Sequence, residues 1–458
     1  MPRYRDETLA CWGNHPRQRC ASARPETWRA LDDVLRDHTH PSRIARGLGR
    51  SYGDAALNED GAVVRTRRLD RAIAFDPRTG TLHAEAGLSL KDVNTHFLPR
   101  GWFPGVTPGS AYVTLGGAIA ADVHGKNHHT EGAFARWTEA IELLLPGDDD
   151  GGSWHARWVS RDDDPELFHA TLGGMGLTGV IRRAKVRLKR VPSAHIEAHY
   201  KRAANLDEAL EGFAGDFGRF PYSVAWIDCL ATGRDAGRSV LIGGDHAPAE
   251  ALPEALRDQP HRVAPPARRR VPFDFPSFAL NPLTVRAFNA VYYHARRPDR
   301  RIEPAHEFFY PLDAILEWNR IYGKPGFQQY QVVLPFDRGA QGVRTLLDRI
   351  ARARAASFLA VLKAMGDASE GPLSFPMPGW TLALDLKQTP RLDALLADLD
   401  AITVEFGGRR YLAKDASLSR DHFEAMYPHL NAFMSVRARV DPHARLSSSL
   451  SRRLGLDP

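Results

Sequence analysis

Between Gly105 and His129 the chain reads GVTPGSAYVTLGGAIAADVHGKNHH, with Gly105, Gly109, Gly116, Gly117 and Gly125 set among small residues. The stretch ends in a polar cluster of His124, Lys126, Asn127, His128 and His129. Glycine lets the main chain approach a ligand with no Cβ in the way and reach positive φ. Successive N–H groups in such a turn form an anion-binding concavity. The stretch therefore predicts backbone packed against a flat, phosphate-bearing ligand, although one glycine pair alone would suit an ordinary turn between strands. Two further glycine-rich stretches favour the ligand: ARGLGRSYGDA at 45–55 and LGGMGLTG at 172–179. The second by itself would pass for a helix C-cap.

A chain of 458 residues is too long for one ordinary core, so two domains, or one with a large second lobe, are expected. Its 43% hydrophobic and 25% charged content is that of a soluble globular protein. No apolar run approaches the length needed to span a bilayer, and the opening MPRYRDETLACWGNHPRQR lacks the apolar core of a secretory signal. The cytoplasm is the default reading. Cys11, Cys20 and Cys229 cannot all pair with one another and have no metal-ligand spacing, so neither a disulfide scaffold nor a metal is expected. The net charge of +6 suits an anionic substrate, an acidic membrane surface or nucleic acid. With no zinc-finger spacing, RNP-like segment or basic heptads, nucleic acid is the weakest of the three.

In chain order, residues 1–25 read as a polar lead-in. PETWRALDDVLRD carries Trp28, Leu31 and Leu35 at helical spacing. Strand, hairpin and helix patterns follow in an α+β alternation to about Pro192, with TEAIELLLPG and GVIRRAKVRLKRV as strands. From about Ala194 a second lobe opens with HIEAHYKR, LDEALEGFAGDF and YSVAWIDCL as strand, helix and strand. Residues 245–275, rich in Pro, Ala and Arg, read as an irregular excursion. Beyond them FQQYQVVLPF, SFLAVLKAM and WTLALDLK are strands, GVRTLLDRIARARA and RLDALLADLDAITVEFGG helices. The end of the chain reads as a helix and a tail.

Taken with YLAKD at 411–415, these stretches resemble the flavoprotein oxidases and dehydrogenases of the vanillyl-alcohol oxidase type. Within that type the chain looks most like the branch acting on polyprenylphosphoryl ribose in the ribose-to-arabinose epimerisation of cell-wall precursors. The most specific blocks are ARGLGRSYGDA, TLGGAIAADVHGKNHH, ELFHATLGGMGLTGV, FQQYQ, PLSFPMPGW and EFGGRRYLAKD, in one order along nearly the whole chain. The resemblance implies an α+β, two-lobed fold: an FAD-binding domain at 1–192, a separate α+β substrate domain at 193–404, and a C-terminal segment, 405–458, returning to the first.

It also implies roles for particular residues. The first glycine loop would run beneath the FAD pyrophosphate through Ala45, Arg46, Gly47, Leu48, Gly49, Arg50, Ser51, Tyr52, Gly53, Asp54 and Ala55. Further FAD contacts would come from Gly109, Thr114, Leu115, Gly116 and Gly117, from Ala121, Asp122, Val123 and His124, and from Val180 and Tyr411. No GxGxxG opens a βαβ unit, so the nucleotide is not held in a Rossmann site, and the FAD is expected to be non-covalent. Lys414, His124 and Lys126 are the implied catalytic residues, with Lys414 a cation at the flavin. Tyr52, Lys126, Trp226, Tyr310, Gln329, Gln331, Lys363, Thr381 and Lys414 would line the substrate pocket.

The implied reaction is FAD-dependent oxidation of the ribose 2′-hydroxyl to a 2′-keto sugar, handed to a separate NAD(P)H-dependent keto-reductase. A soluble aldonolactone or alditol oxidase of the same class is the alternative, and a non-catalytic flavin-binding protein a more distant one. The block Gly379–Leu384 departs from the branch, which has Asn and Cys where this chain has Thr381 and Ala383. Without that thiol, covalent capture of nitroaromatic electrophiles is not expected. Residues 268–301 form a basic, apolar loop: Arg268, Arg269 and Arg270 precede VPFDFPSFALNPL, and Arg296, Arg297, Arg300 and Arg301 follow it. Such a loop suits either a solvated Phe cluster or peripheral docking at the inner membrane.

Overall fold

The strand Val180–Arg190 is the spine of the first lobe, because its apolar residues alternate with charged ones and can be buried on one face only. In the computed structural model, which describes residues 4–147, 153–263, 269–276, 278–296 and 298–458, it pairs with Thr81–Glu85 on one side and Thr138–Pro146 on the other. Ala72–Asp76 and Trp154–Ser160 complete an antiparallel sheet, and Trp102–Pro104 pairs with the far end of the spine. A smaller mixed sheet runs Arg5–Ala10, Arg17–Ala23, Ala62–Arg65, Arg43–Arg46. Its first two strands correct the lead-in reading of residues 1–25. RQRCASA buries Cys20, Ser22 and Ala23, residues too small and polar to show as a hydrophobic pattern.

The second lobe is built on eight antiparallel strands in the order Asp299–Pro304, His195–Ala203, Ser239–His246, Tyr222–Ile227, Ala360–Met365, Gly379–Lys387, Phe327–Leu334, Arg409–Arg410. Leu206–Ala214, Phe336–Arg352 and Leu392–Glu405 cover one face, where Tyr330, Val332, Leu382, Leu384 and Leu386 join a single core. The period of two then sends Gln329, Gln331, Thr381, Ala383 and Asp385 to the opposite face. That face meets the first lobe.

Two readings of the second lobe need correction. Asp245 and His246 end the strand Ser239–His246, and helical turns at Ala249–Ala251 and Glu254–Arg257 interrupt the excursion that follows. Within the basic, apolar loop lies a helix, Pro282–Ala295, started by Pro282 behind a capping box of Asn281 and Thr284. Its apolar side chains surround the axis instead of forming one stripe, so periodicity does not reveal it. Arg268 and Arg297 lie outside the described residues. Among the described residues, no helix is long and apolar enough to cross a membrane.

The end of the chain is not a tail. Arg420–Met426 and Leu430–Val440 are followed by a third helix, Ser449–Leu454, whose Ser448 and Ser451 form a capping box. Leu450, Leu454 and Leu456 are buried in the same core as Leu9, Ile44 and Val186. Arg437, fully buried, donates to the carbonyl oxygens of Leu177, Leu446 and Leu456 and pairs with Asp441 at 2.8 Å. Removing it would strand these acceptors in the core. Arg437→Leu is expected to destabilise the fold by about 3–5 kcal/mol, read as a lowered unfolding midpoint in urea. A midpoint equal to wild type would show that the buried guanidinium does not hold the C-terminal helices.

Candidate active site

A cavity of about 380 Å³ lies where the lobes meet, within the range of small-molecule and cofactor sites. The first lobe contributes the glycine loop and segment 107–126, the eight-stranded sheet contributes Val224, Gln329, Gln331, Val361, Lys363 and Ala383, and the C-terminal segment contributes Tyr411, Ala413 and Lys414.

In the loop after the strand Arg43–Arg46, Gly49 takes φ +64°, and the N–H groups of Leu48, Gly49 and Arg50 have no partner among the described residues. They are free to face an anion. A Cβ on Gly47 would sit 2.3 Å from Thr114 Oγ1, so glycine is required where the loop crosses the next segment. That next segment departs from expectation. The glycine pair at 116–117 belongs to a short helix, Leu115–Ala120, capped by Thr114. Its donors are already used: Leu115 N–H to Leu88, Gly116 N–H to Ala86, and Gly117 N–H to Thr114 Oγ1. These glycines shape a wall, and the open anion cradle is in the first loop. The third stretch, with Gly173, Met175 and Gly176 at positive φ, turns back onto this helix through Gly173 N–H to Ile119 and Met175 N–H to Ala120.

Three hydrogen bonds fix the floor. Tyr411 OH donates to Ala121 O at 2.7 Å, Tyr411 N–H to Gln331 O, and Tyr52 N–H to Ala413 O. Lys414 Nζ then lies 3.8 Å from the centre of the Tyr52 ring. Burial pushes the Lys414 ammonium below its ordinary value, and the charge of Asp385 opposes that shift. His124 Nε2 accepts from Gln331 Nε2 at 2.8 Å, and its ring packs beside the stacked pair of Phe375 and Tyr411. Burial holds it well below the usual histidine range, so the ring is neutral, and its Nδ1 has no partner among the described residues.

Lys126 donates to the Phe308 carbonyl and Lys363 to the Gly125 carbonyl. Burial brings Lys126 down to about 7 and Lys363 to about 8. Neither is in an ion pair among the described residues.

Several residues expected at the site stand behind its walls. The Arg46 side chain turns away to Ala10 O and Ala56 O, Gly53 abuts the Asp415 carbonyl, and Asp54 pairs with Arg453 at 2.7 Å. Leu115 and Val180 lie in hydrophobic cores, and Asp122 accepts from Ala135 N–H and Ser369 Oγ. Trp226 donates to Phe358 O and packs at a tilt against Tyr292, Tyr310 OH is bonded to Thr107 and Asn94, and Thr381 accepts from Gln331. These last three support the substrate wall without lining it.

Sequence reasoning missed Trp318, Leu312, Asp313 and Leu359 in the lining. It also missed Asp385, although the polar residue in LALDL was a visible break in an apolar strand. Arg50 lies 3.8 Å over the Trp12 ring, which gives the lead-in tryptophan its place.

The site suits FAD. It combines open N–H groups for a pyrophosphate, a glycine-lined slot, and a lysine at the far end for charge gained on reduction. The FAD binding domain family matches residues 21–149, and the D-arabinono-1,4-lactone oxidase family matches residues 385–454. Decaprenylphosphoryl-beta-D-ribose oxidase of Mycolicibacterium smegmatis is 36% identical over 90% of this chain and 89% of its own length.

The chain belongs to the decaprenylphosphoryl-β-D-ribose oxidase family.

It is thus an FAD-dependent oxidoreductase of the vanillyl-alcohol oxidase type. Another relative of similar extent is an uncharacterized protein in the mprA 5′ region of Streptomyces coelicolor, 37% identical over 78% of this chain and 97% of its own. Cytokinin dehydrogenase 3 of Arabidopsis thaliana is 30% identical over 32% of this chain and 28% of its own. Within the ribose oxidase family's glycine loop, Gly47→Ala forces Thr114 to move, an overpacking worth about 1–3 kcal/mol. FAD retention should fall about tenfold or more, measured as the flavin-to-protein absorbance ratio after gel filtration; a wild-type ratio would refute the close approach.

Proposed function

We propose that this enzyme oxidises the 2′-hydroxyl of a polyprenylphosphoryl-β-D-ribose to the 2′-keto sugar. The observation that carries this reading is an apolar track leading out of the cavity. Tyr52, Trp318, Tyr322 and Phe327 form one aromatic cluster, with Leu280, Leu312 and Leu359 packed against it. Its inner side lines the cavity through Tyr52, Leu312, Trp318 and Leu359. Its outer side reaches the exposed Phe288 through Phe358, and Phe273, Phe278, Leu283 and Val291 of the same segment are exposed as well, Phe278 by 80%. A free sugar needs no such track, whereas a prenyl chain does.

FAD, when bound, supplies the hydride acceptor. The loop Leu48–Arg50 would hold its pyrophosphate, and Lys414 would place a positive charge where negative charge develops on reduction. Gln329 and Gln331 have their amide nitrogens committed to Asp385 and to His124 and Thr381, which leaves their carbonyl oxygens to accept sugar hydroxyls. Lys126, near 7, is suited in its neutral form to take the hydroxyl proton. Lys363 faces the substrate phosphate as a cation.

The two hydrophobic cores support an FAD-binding domain of residues 1–192 joined by 405–458, with the substrate domain at 193–404. The keto product would pass to a separate NAD(P)H-dependent reductase, completing epimerisation to the arabinose form.

The match of residues 385–454 to the D-arabinono-1,4-lactone oxidase family favours a second reading, oxidation of free aldonolactones or alditols. Anaerobic bleaching of the bound flavin separates the two. A short-prenyl phosphoryl ribose is expected to bleach it while aldonolactones and alditols do not; bleaching by the free polyols alone would transfer the enzyme to the second reading.

The exposed apolar residues, with Arg269, Arg270 and Arg286 beside them, are proposed to dock on an anionic membrane. Arg300 and Arg301 contribute less than expected, being paired with Glu197 and Glu303 at the sheet edge. Phe278→Glu with Leu283→Glu should abolish co-sedimentation with anionic liposomes, and unchanged binding would remove the docking role.

A further inference from the structure

Arg50 closes the loop whose N–H groups form the anion cradle, but its side chain is engaged elsewhere. The guanidinium carbon stands 3.8 Å over the Trp12 ring and 5.0 Å from the centre of the Tyr112 ring. Trp12 is itself held in place, its N–H donating to Ser51 O at 2.9 Å and its carbonyl accepting from Asn319 Nδ2 at 3.2 Å. Two aromatic faces therefore orient the guanidinium without using any of its donors. Among the described residues it makes no hydrogen bond and no ion pair, and it lines the cavity. Asp313, the acidic residue of the lining, accepts instead from Ser110 Oγ at 2.7 Å and Ala111 N–H at 2.8 Å. A guanidinium stays charged and carries five N–H donors in a fixed fork. A partly buried one with no acceptor is an anion site waiting for its anion.

Its place in the cavity says which anion. The Trp12 ring meets Trp318 edge to face at 5.6 Å, and Trp318 belongs to the aromatic cluster of the apolar track. Tyr52 of the same cluster carries Lys414 over its ring on the cavity floor. A prenylphosphoryl sugar has its phosphate between the sugar and the first isoprene unit. With the sugar over the floor and the chain against Trp318, that phosphate falls on the side of the cavity where Arg50 stands.

We propose that Arg50 is a specificity residue that receives the substrate phosphate on paired N–H donors and so selects phosphate-linked sugars over free ones. This rests on the polyprenylphosphoryl-ribose reading. Lys363 meets the phosphate from the sheet as a point charge, whereas Arg50 adds two parallel hydrogen bonds. The N–H that residue 50 gives to the FAD cradle is a backbone group and is present whatever side chain follows it.

Binding to the FAD-loaded enzyme is read from the change in the flavin's visible absorbance. Two ligands without an oxidisable 2′-hydroxyl are compared: a short-prenyl phosphoryl 2-deoxyribose and the uncharged prenyl glycoside of the same sugar. Arg50→Met keeps the length and the apolar stem. It should weaken the phosphorylated ligand by about 10- to 100-fold and the uncharged glycoside by less than about twofold. Arg50→Lys, which keeps the charge but not the fork, should lose less. The flavin-to-protein ratio after gel filtration should stay at the wild-type value in both variants. Equal weakening of the two ligands makes Arg50 a packing residue and overturns the proposal, as does a wild type that binds the two ligands equally or a variant that binds both as the wild type does. Loss of flavin from the variants assigns the guanidinium to the FAD pyrophosphate and overturns it too. The comparison is read on binding without turnover, so bleaching by free polyols and the lack of a phosphate effect are separate results.

Discussion

Asp415 is the constraint on which the site depends. It is fully buried, and it is paired with Arg410 at 3.3 Å and with Arg453 at 2.9 Å. Its Oδ1 also accepts from the N–H groups of Ser417 and Leu418. The two guanidiniums and these N–H groups outweigh desolvation and hold its carboxyl below the usual range. Arg410 reaches onward to Asp400 on a helix of the second lobe, and Arg453 to Asp54 in the first glycine loop. One carboxylate therefore ties together the substrate lobe, the anion cradle and the last helix. Lys414 is its immediate neighbour in sequence, so the same network sets the height of the cavity floor. Gly53 completes the joint, since a Cβ there would lie 1.6 Å from the Asp415 carbonyl oxygen.

How much of this was legible in the sequence differs by the range of the interaction. The loop Gly47–Arg50 was readable because its requirement is local: backbone that must reach positive φ and leave its N–H groups open. The pair Gly116–Gly117 looked the same in sequence and does something else, because a short helix with two glycines cannot be told from a loop until Ala86 and Leu88 are seen taking its donors. The strand Arg17–Ala23 was missed because its register comes from pairing with residues about 40 positions away, such as Ala62, and Arg5–Ala10 pairs with that strand in turn. Asp385 and Leu359 come to the site through the order of the eight-stranded sheet, and Trp318 through its packing on Phe327, neither of which a local pattern encodes. Trp226, Tyr310 and Thr381 were placed one layer too near the cavity, where resemblance gives neighbourhood but not the direction of a side chain.

Lys126, Lys363 and Lys414 gather in a desolvated space that lowers the proton affinity of each, and Asp385 opposes that shift at Lys414. Such an arrangement is poorly stabilised by the protein itself. An anionic substrate relieves the repulsion among the lysines, and polarity and affinity are then set by the same groups. The neutral His124, packed beside the stacked rings of Phe375 and Tyr411, adds no charge to them.

The first core opens at Leu9 and is not closed until Leu456, with the second lobe inserted between. A chain made from its N-terminus outward emerges with the cradle long before the floor. The partly synthesised protein has glycine loops but no Tyr411, no Lys414 and no Asp415 against which to seat them. Cofactor capture thus waits for Tyr411 and Lys414, and a bound flavin serves as a certificate that the segment carrying them has come back to the first lobe.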